Sequence, residues 1–363
     1  MAEAKTVLVA AGGTGGHLFP ASALAAALAK RGFIVDLATD DRALKFGADF
    51  PARAVHALPS ATPTSGGLLG KAGAALTLGR GGLAAIGVLR RIKPAAVVGF
   101  GGYPTVPPLA AAALLKIPTI IHEGNAVIGR ANAFLAPRAT RIASGFPTLG
   151  GLADAYRAKL SYTGNPLRPT VIDAAKRPYP ALDGPIRVLV TGGSQGARVM
   201  SDVVPAAFAL LAPEERKRFA LVMQARGEDG ARVKDALRAI AMPGEIAEFF
   251  KDLPERIAAA HLIVSRAGAS TTSEIAAIGR PAILVPFPHA LDQDQAANAK
   301  ALSDSGAAVV VAQDAFTPAY LAAALRGALA DPGKLAARAA SAKAAGVTDA
   351  AERLADLVQG ALG

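Results

Sequence analysis

A histidine follows four glycines directly after an apolar run near the start of the chain, in the segment VLVAAGGTGGHLFP at residues 7–20. A glycine-rich turn between a strand and a helix lets a ligand approach the backbone, and the helix start presents unpaired N–H groups to an anion. His17 can accept a proton near neutral pH. Leu18 stands where the dinucleotide fingerprint needs its third glycine, and the P-loop pattern is also absent. We therefore expect an anionic ligand with His17 beside its reacting group; a tight turn without a ligand is the alternative.

A second glycine loop, TGGSQGAR at residues 191–198, repeats the Gly-Gly-[Thr/Ser]-x-Gly pattern of the first. The hydroxyl of Ser194 can donate to a phosphate oxygen, and a helix predicted to start near Ala197 directs the positive end of its dipole at the same point. One such loop in each half of the chain favours a ligand that carries phosphate.

Two further segments carry polar residues that suit a nucleotide sugar. In SRAGASTTSEIAAIGRPAILVPFP, at residues 265–288, Glu274 could accept two hydrogen bonds from a ribose diol. The alternative is an acid in the first helical turn that complements the helix dipole. In HALDQDQAANA, at residues 289–299, amides and carboxylates could contact sugar hydroxyls, or they could form a solvated helix start. The Asp-x-Asp sequence at 292–294 resembles a metal motif, but we expect no metal there.

The segment IIHEGNAVIGRAN, at residues 120–132, places His122, Glu123 and Asn125 directly after a predicted strand. Buried polar side chains at such a position need hydrogen-bond partners. Considered alone, these residues are interpreted as structural more readily than as catalytic.

Short apolar strands alternate with Ala- and Leu-rich helices along the whole chain, which predicts parallel sheets covered by helices. The pattern starts again after the Pro-rich stretch at 177–185. We therefore predict two doubly wound α/β domains, with ligands at the carboxyl ends of their strands. The expected limits are 1–163 for the N-terminal domain and 164–345 for the C-terminal domain, with a final helix at 346–363 that packs back toward the N-terminal domain.

Composition narrows the class of protein. The 363 residues include no cysteine, which excludes disulfides and thiolate chemistry, and a net charge of +11 favours a phosphorylated substrate or an anionic membrane surface. Nucleic acid is disfavoured because only 5% of residues are aromatic and no known nucleic-acid motif occurs. We expect no secretory signal and no spanning helix. The Leu-rich, basic segment 60–93 is either an ordinary loop and helix or a patch that rests on a bilayer.

Seven motifs occur in order along nearly the whole chain: GGTGGHLFP, FGGYPTVP, HEGNAVIGRAN, TGNPLR, GGSQGAR, SRAGASTTSEIAAIGRPAILVPFP and DQDQAANA. Together they closely resemble the MurG family, bacterial transferases that move N-acetylglucosamine from UDP-N-acetylglucosamine to lipid I and so make lipid II for peptidoglycan. The resemblance implies the GT-B fold, two Rossmann-like domains that face each other across a cleft. It also implies attachment of segment 60–93 to the cytoplasmic face of the inner membrane, contacts with other cell-wall synthesis proteins, and no cofactor or metal.

The resemblance assigns the donor-binding residues. The first glycine loop matches contacts to the sugar and to the acceptor diphosphate, and later matches concern the diphosphate, the uracil, the ribose and the N-acetylglucosamine. One position departs from the family, because Asp294 stands where relatives often have Gln or His. The implied set is Thr14, Gly15, Gly16, Asn125, Arg168, Ser194, Gln195, Phe249, Phe250, Ala269, Ser270, Thr271, Thr272, Ser273, Glu274, Asp294 and Gln295.

The implied reaction is an inverting displacement at the anomeric carbon, in which a base removes the proton of the acceptor hydroxyl. His17 is the first candidate for that base, since a neutral imidazole suits the task, and Glu123 is the second. Two other functions remain open at this point. One is a UDP-N-acetylglucosamine epimerase of similar fold, and the other is a non-catalytic protein that binds a nucleotide sugar at a membrane.

Overall fold

The computed structural model describes residues 4–12, 15–41, 50–62, 67–193, 196–290 and 293–362. The chain forms two units. The N-terminal unit comprises residues 1–168 and 349–363, and the C-terminal unit comprises residues 169–348. The sequence-based limit after residue 163 therefore falls inside the TGNPLR segment at residues 163–168, all of which the structure assigns to the N-terminal unit.

The N-terminal unit contains a parallel sheet of seven strands in the order β3-β2-β1-β4-β5-β6-β7. The chain reverses its direction of winding between β1 and β4, and ligands of such sheets bind at this switch point, beyond the carboxyl ends of the strands. Val7, Val9, Val97 and Val98 are fully buried in the two central strands, as expected for a sheet covered on both faces. The strands are β1 (Thr6–Ala10), β2 (Ile34–Thr39), β3 (Ala54–Ala57), β4 (Ala96–Gly99), β5 (Thr119–Glu123), β6 (Arg141–Ser144) and β7 (Leu160–Tyr162).

Among the described residues, the α-helices of this unit are α1 (Gly15–Lys30), α2 (Gly67–Ile92), α3 (Val106–Leu114), α4 (Arg130–Leu135) and α14 (Ala350–Gly360). Helix α1 begins at Gly15, so the end of the first glycine motif is helical and His17 lies in the first turn. Helix α14 packs on α1 through Leu354, Ala355 and Val358, all fully buried. The guanidinium of Arg31 contacts Glu352 and Asp356 at 2.6 Å each, which joins the two helices at their surface.

The C-terminal unit contains a parallel sheet of six strands in the order β10-β9-β8-β11-β12-β13, with its switch point between β8 and β11. The strands are β8 (Ile186–Thr191), β9 (Phe219–Gln224), β10 (Gly244–Ala247), β11 (Leu262–Ser265), β12 (Ala282–Leu284) and β13 (Ala308–Val310). The helices are α5 (Pro169–Ala175), α6 (Arg198–Ala209), α7 (Pro213–Arg216), α8 (Gly227–Ala239), α9 (Leu253–Ala259), α10 (Ala269–Ile278), α11 (Asp294–Asp304), α12 (Pro318–Ala330) and α13 (Pro332–Ala345).

Helix α2 bears on the expectation of no spanning helix. Residues Gly70–Ile92 are long and apolar enough to cross a membrane, with a mean hydropathy of 1.4, but length and composition alone do not establish a membrane span. Ala74, Ala85 and Leu89 are buried, and the helix packs against α3. One side of α2 is thus part of the folded N-terminal unit.

Candidate active site

The first glycine motif and the FGGYPT segment meet at the switch point of the N-terminal sheet. A methyl group on Gly12 would lie 2.8 Å from Asp40 Oδ1 and 2.9 Å from Pro104 Cβ, so this position has room only for glycine. Gly101 and Gly102 have φ angles of 83° and 73°, in the left-handed region that favours glycine. The FGGYPT glycines thus shape the surface on which the first helical turn of α1 rests.

His17 lies on that surface. A methyl group on Gly102 would lie 3.5 Å from His17 Nε2, which is ordinary contact distance, so the imidazole rests directly on the glycine pair. Burial lowers the pKa of His17, while the charge of Glu123 and a hydrogen bond to the Phe100 carbonyl oppose this effect. The ring is therefore neutral at pH 7. Since one ring nitrogen donates to Phe100, the other is an acceptor, as a general base requires.

The carboxylate of Glu123, in contrast, is fully engaged by its own loop. Oε1 accepts hydrogen bonds from the backbone N–H and side-chain amide of Asn125, at 3.0 and 3.3 Å. Oε2 accepts hydrogen bonds from the Gly129 N–H and the Asn132 amide, both at 2.9 Å. A carboxylate has about four acceptor positions, so this arrangement holds the HEGN loop in shape and orients Asn125.

The buried ring of His122 connects the same strand to the TGNPLR segment. Its Nε2 donates to the Gly164 carbonyl at 3.2 Å, and burial lowers its pKa from 6.5 to about 4. The Asn165 amide donates to the Gly124 carbonyl at 2.9 Å. Arg168, at the end of this segment, stacks on Phe19 with 4.6 Å between the guanidinium carbon and the ring centroid.

The second glycine motif joins β8 to α6 in the C-terminal unit. A methyl group on Gly192 would lie 2.2 Å from the Ala197 backbone nitrogen, and Gly193 and Gly196 have φ angles of 78° and 67°. Among the described residues, no side chain caps the start of helix α6 at Arg198, and its first turn contains no acid. A helix start of this kind can present N–H groups to an anion. Thr14, Ser194 and Gln195 lie outside the described residues.

The segment after β11 forms a similar helix start. Helix α10 follows Gly268 without a side-chain cap and without an acid in its first turn. Glu274 lies beyond that turn and is buried, which removes the alternative of a first-turn acid. The hydroxyl of Thr272 donates within the helix, to Gly268 and Ala269. Ser270, Thr271 and Ser273 are partly buried in the same helix.

Gln295 and Arg266 connect the strand ends on either side of α10. Gln295 Oε1 accepts hydrogen bonds from the N–H groups of Ala267 and Phe287, at 3.3 and 3.0 Å. Arg266 donates to the Val285 carbonyl at 3.1 Å, and burial lowers its pKa. Arg266 was not predicted from the sequence; its place directly after a buried strand was the available signal. Asp294 begins α11 and accepts a hydrogen bond from the Gln295 N–H.

The paired phenylalanines after β10 have different environments. Phe249 is 65% exposed, whereas Phe250 is buried, with the Arg256 guanidinium 4.3 Å from its ring centroid. Only the Phe249 ring is therefore open to stacking by a planar ligand. Within the described residues, no group of three or more His, Cys, Asp or Glu side chains could hold a metal ion.

Residues 7–144 match the family model of the glycosyltransferase family 28 N-terminal domain, and residues 187–354 match that of the family 28 C-terminal domain. The chain belongs to glycosyltransferase family 28. Family 28 enzymes similar to it include the UDP-N-acetylglucosamine--N-acetylmuramyl-(pentapeptide) pyrophosphoryl-undecaprenol N-acetylglucosamine transferase of Methylobacterium radiotolerans. The two are 58% identical, over 97% of this chain and 96% of the relative. The enzyme of the same name from Rhodopseudomonas palustris BisA53 is 52% identical, over 99% and 96%.

Solved structures agree with this family assignment. The crystal structure of Acinetobacter baumannii MurG is 29% identical, with a TM-score of 0.81 over 98% of this chain and 99% of that one. The UDP-GlcNAc 2-epimerase of Neisseria meningitidis shares the fold at 13% identity, with a TM-score of 0.68 over 98% and 100%. The predicted GT-B fold with two doubly wound α/β units and the resemblance to MurG are confirmed.

Proposed function

We propose that this family 28 enzyme transfers N-acetylglucosamine from UDP-N-acetylglucosamine to the muramyl C4 hydroxyl of lipid I, with inversion, and so forms lipid II. The observation that carries the proposal is 58% identity, over nearly the full length, to a transferase whose name states this donor and acceptor. Because the alignment covers 97% of this chain, it includes the segments of both units that we assign to substrates.

The C-terminal unit supplies most of the proposed donor site. The starts of α6 and α10 both lack an acid in their first turn, so their N–H groups suit the diphosphate and its neighbouring sugars. We assign the uracil to the exposed ring of Phe249 and the ribose to Glu274. Gln295 has its oxygen engaged by two backbone N–H groups, so its amide nitrogen is the part that we assign to the N-acetylglucosamine.

His17 is the proposed general base. The acceptor hydroxyl attacks the anomeric carbon, its proton passes to the free ring nitrogen of His17, and the bond from the anomeric carbon to the UDP oxygen breaks with its electron pair on UDP. Arg168, Ser194 and the start of α6 would stabilise the charge on the leaving group. This scheme uses no cofactor and no metal. Glu123 acts instead as a positioning residue, because four hydrogen bonds already occupy its carboxylate.

Helix α2 supplies the proposed contact with the cytoplasmic face of the inner membrane. Leu76 and Leu83 are 68% and 72% exposed. They are seven residues apart, and the exposed Arg80 and Arg90 lie on the same helical stripe. Exposed leucines interleaved with arginines suit an anionic bilayer surface. The buried opposite side of α2 supports a helix that lies on the membrane, where lipid I and other cell-wall synthesis proteins would be reached.

Transfer of labelled N-acetylglucosamine from its UDP donor to a lipid I analogue tests the proposal. We expect lipid II to form with and without a chelator, and His17→Ala to lower turnover by at least about a hundredfold while UDP affinity is kept. Because the pKa of His17 lies below 6.5, the acid limb of kcat/KM should also lie below pH 6.5. No transfer by the wild type would refute the proposed function, and epimer formed from the donor alone would favour the epimerase. Donor binding without either reaction would indicate the non-catalytic protein.

A further inference from the structure

Gln224, the last residue of β9, uses both ends of its side-chain amide inside the C-terminal unit. Its Oε1 accepts hydrogen bonds from the Thr191 hydroxyl at 2.8 Å and from the Gly192 N–H at 3.1 Å. Its Nε2 donates to the Glu248 carbonyl at 3.1 Å. The side chain is buried, so these contacts are protected from competition with water.

The two sets of partners belong to two different segments of the proposed donor site. Thr191 and Gly192 open the second glycine motif, and the Thr191 hydroxyl also accepts a hydrogen bond from the Gly193 N–H at 3.3 Å. Glu248 directly precedes Phe249 and Phe250. One amide therefore connects the segment assigned to the diphosphate with the segment assigned to the uracil.

We propose that Gln224 is a positioning residue that sets the separation of these two segments, so that one UDP moiety engages both. This inference rests on the proposed function, which supplies the uridine diphosphate. Only an amide supplies both an acceptor for two donors and a donor for the Glu248 carbonyl. A glutamate has no N–H and would place a negative charge beside the diphosphate, and a leucine offers neither group.

Substitutions at Gln224 and Thr191 should have different effects on the binding of UDP and of uridine. Gln224→Leu should weaken UDP about tenfold, a factor equivalent to about 1.4 kcal/mol, and should weaken uridine as well, because both segments lose their anchor. Thr191→Val should weaken UDP but leave uridine unchanged, since it affects only the glycine motif, and Thr191→Ser should restore UDP binding. Gln224→Glu should weaken UDP more than Gln224→Leu does. UDP is measured by calorimetry and uridine by ligand-observed NMR, on the full-length enzyme.

Tyr179→Phe is the matched control. It removes one side-chain hydrogen bond in the same unit, which Tyr179 Oη donates to the backbone carbonyl of His261. His261 directly precedes β11, so this bond lies at the amino ends of the strands, away from the carboxyl ends where Gln224 lies. The stability of this variant should fall while UDP and uridine affinities stay at the wild-type values. The inference is overturned if Gln224→Leu behaves like this control, or if it weakens UDP and leaves uridine unchanged. A wild-type enzyme that binds no UDP would instead refute the proposed function.

Discussion

The buried His122 makes the stability of the N-terminal unit depend on pH. Because the pKa is about 4 in the folded chain and 6.5 in the unfolded chain, the unfolded chain binds a proton first as the pH falls. The stabilising contribution of neutral His122 is thus fully present above pH 6.5 and is lost progressively between pH 6.5 and about 4. The side chain is 1% exposed, so solvent does not screen the effect.

The expected loss follows from the two pKa values. At 1.36 kcal/mol per pH unit, a pKa lowered from 6.5 to about 4 corresponds to about 3 kcal/mol at pH 4, of which about 2 kcal/mol is lost by pH 5. His122→Gln keeps an N–H that can donate to the Gly164 carbonyl, and it does not titrate. Between pH 7.5 and 5.0, the free energy of unfolding should therefore fall by about 2 kcal/mol more in the wild type than in this variant.

Urea unfolding at the two pH values, followed by far-UV circular dichroism, measures this difference. The comparison between variant and wild type cancels the contribution of the carboxylates to the pH dependence, because they titrate in both proteins. His289→Gln, a change at an exposed histidine, is the matched control for the loss of one imidazole. Equal pH dependence in the His122→Gln variant and the wild type, within about 0.5 kcal/mol, would refute the reasoning from burial.

Three further predictions concern the candidate active site and the membrane contact. Glu123→Gln should raise the donor KM but keep kcat within about tenfold. The acid limb of the kcat/KM profile should move to lower pH, because the negative charge beside His17 is gone. A loss of kcat above about a thousandfold would make Glu123 the base. Gly12→Ala should destabilise the enzyme by about 1–3 kcal/mol in urea unfolding. Gly82→Ala should not, because among the described residues its added methyl group would meet nothing within 4 Å apart from its own helix backbone and chain neighbours. Joint replacement of Leu76 and Leu83 by serine should lower binding to anionic vesicles at least about tenfold. Transfer to a detergent-solubilised acceptor should be unchanged. Undiminished vesicle binding would exclude α2 as the membrane contact.

The strands and the two sheets were accessible from the sequence because parallel strands buried on both faces are short, continuous apolar runs. The first turn of α1 was not. Glycine has a low intrinsic helix propensity, so the GGH segment is typical of a loop until its tertiary contacts are known. Here the helix extends to Gly15 because His17 rests on Gly101 and Gly102, which are more than eighty residues away in the chain.

The roles within the HEGN segment were equally inaccessible from the motif. Spacing placed Glu123 beside Asn125, but only the fold brings the Gly129 N–H and the Asn132 amide to the other carboxylate oxygen. The same limit applies to Gln224, which was not predicted from the sequence. A glutamine at the end of a strand carries no pattern that shows which two segments its amide will join.

Glu123 and His17 together show why a site with two acid–base candidates needs only one of them as the base. A general base must have an acceptor position that faces the substrate. The acceptor positions of the Glu123 carboxylate are occupied by hydrogen bonds from the loop that orients Asn125, whereas the Phe100 carbonyl accepts a hydrogen bond from only one nitrogen of His17. The negative charge of Glu123 also raises the pKa of His17 against the effect of burial, which makes the imidazole a stronger base. In the proposed mechanism the carboxylate contributes to proton removal through its charge and through the shape of the loop, and the imidazole receives the proton.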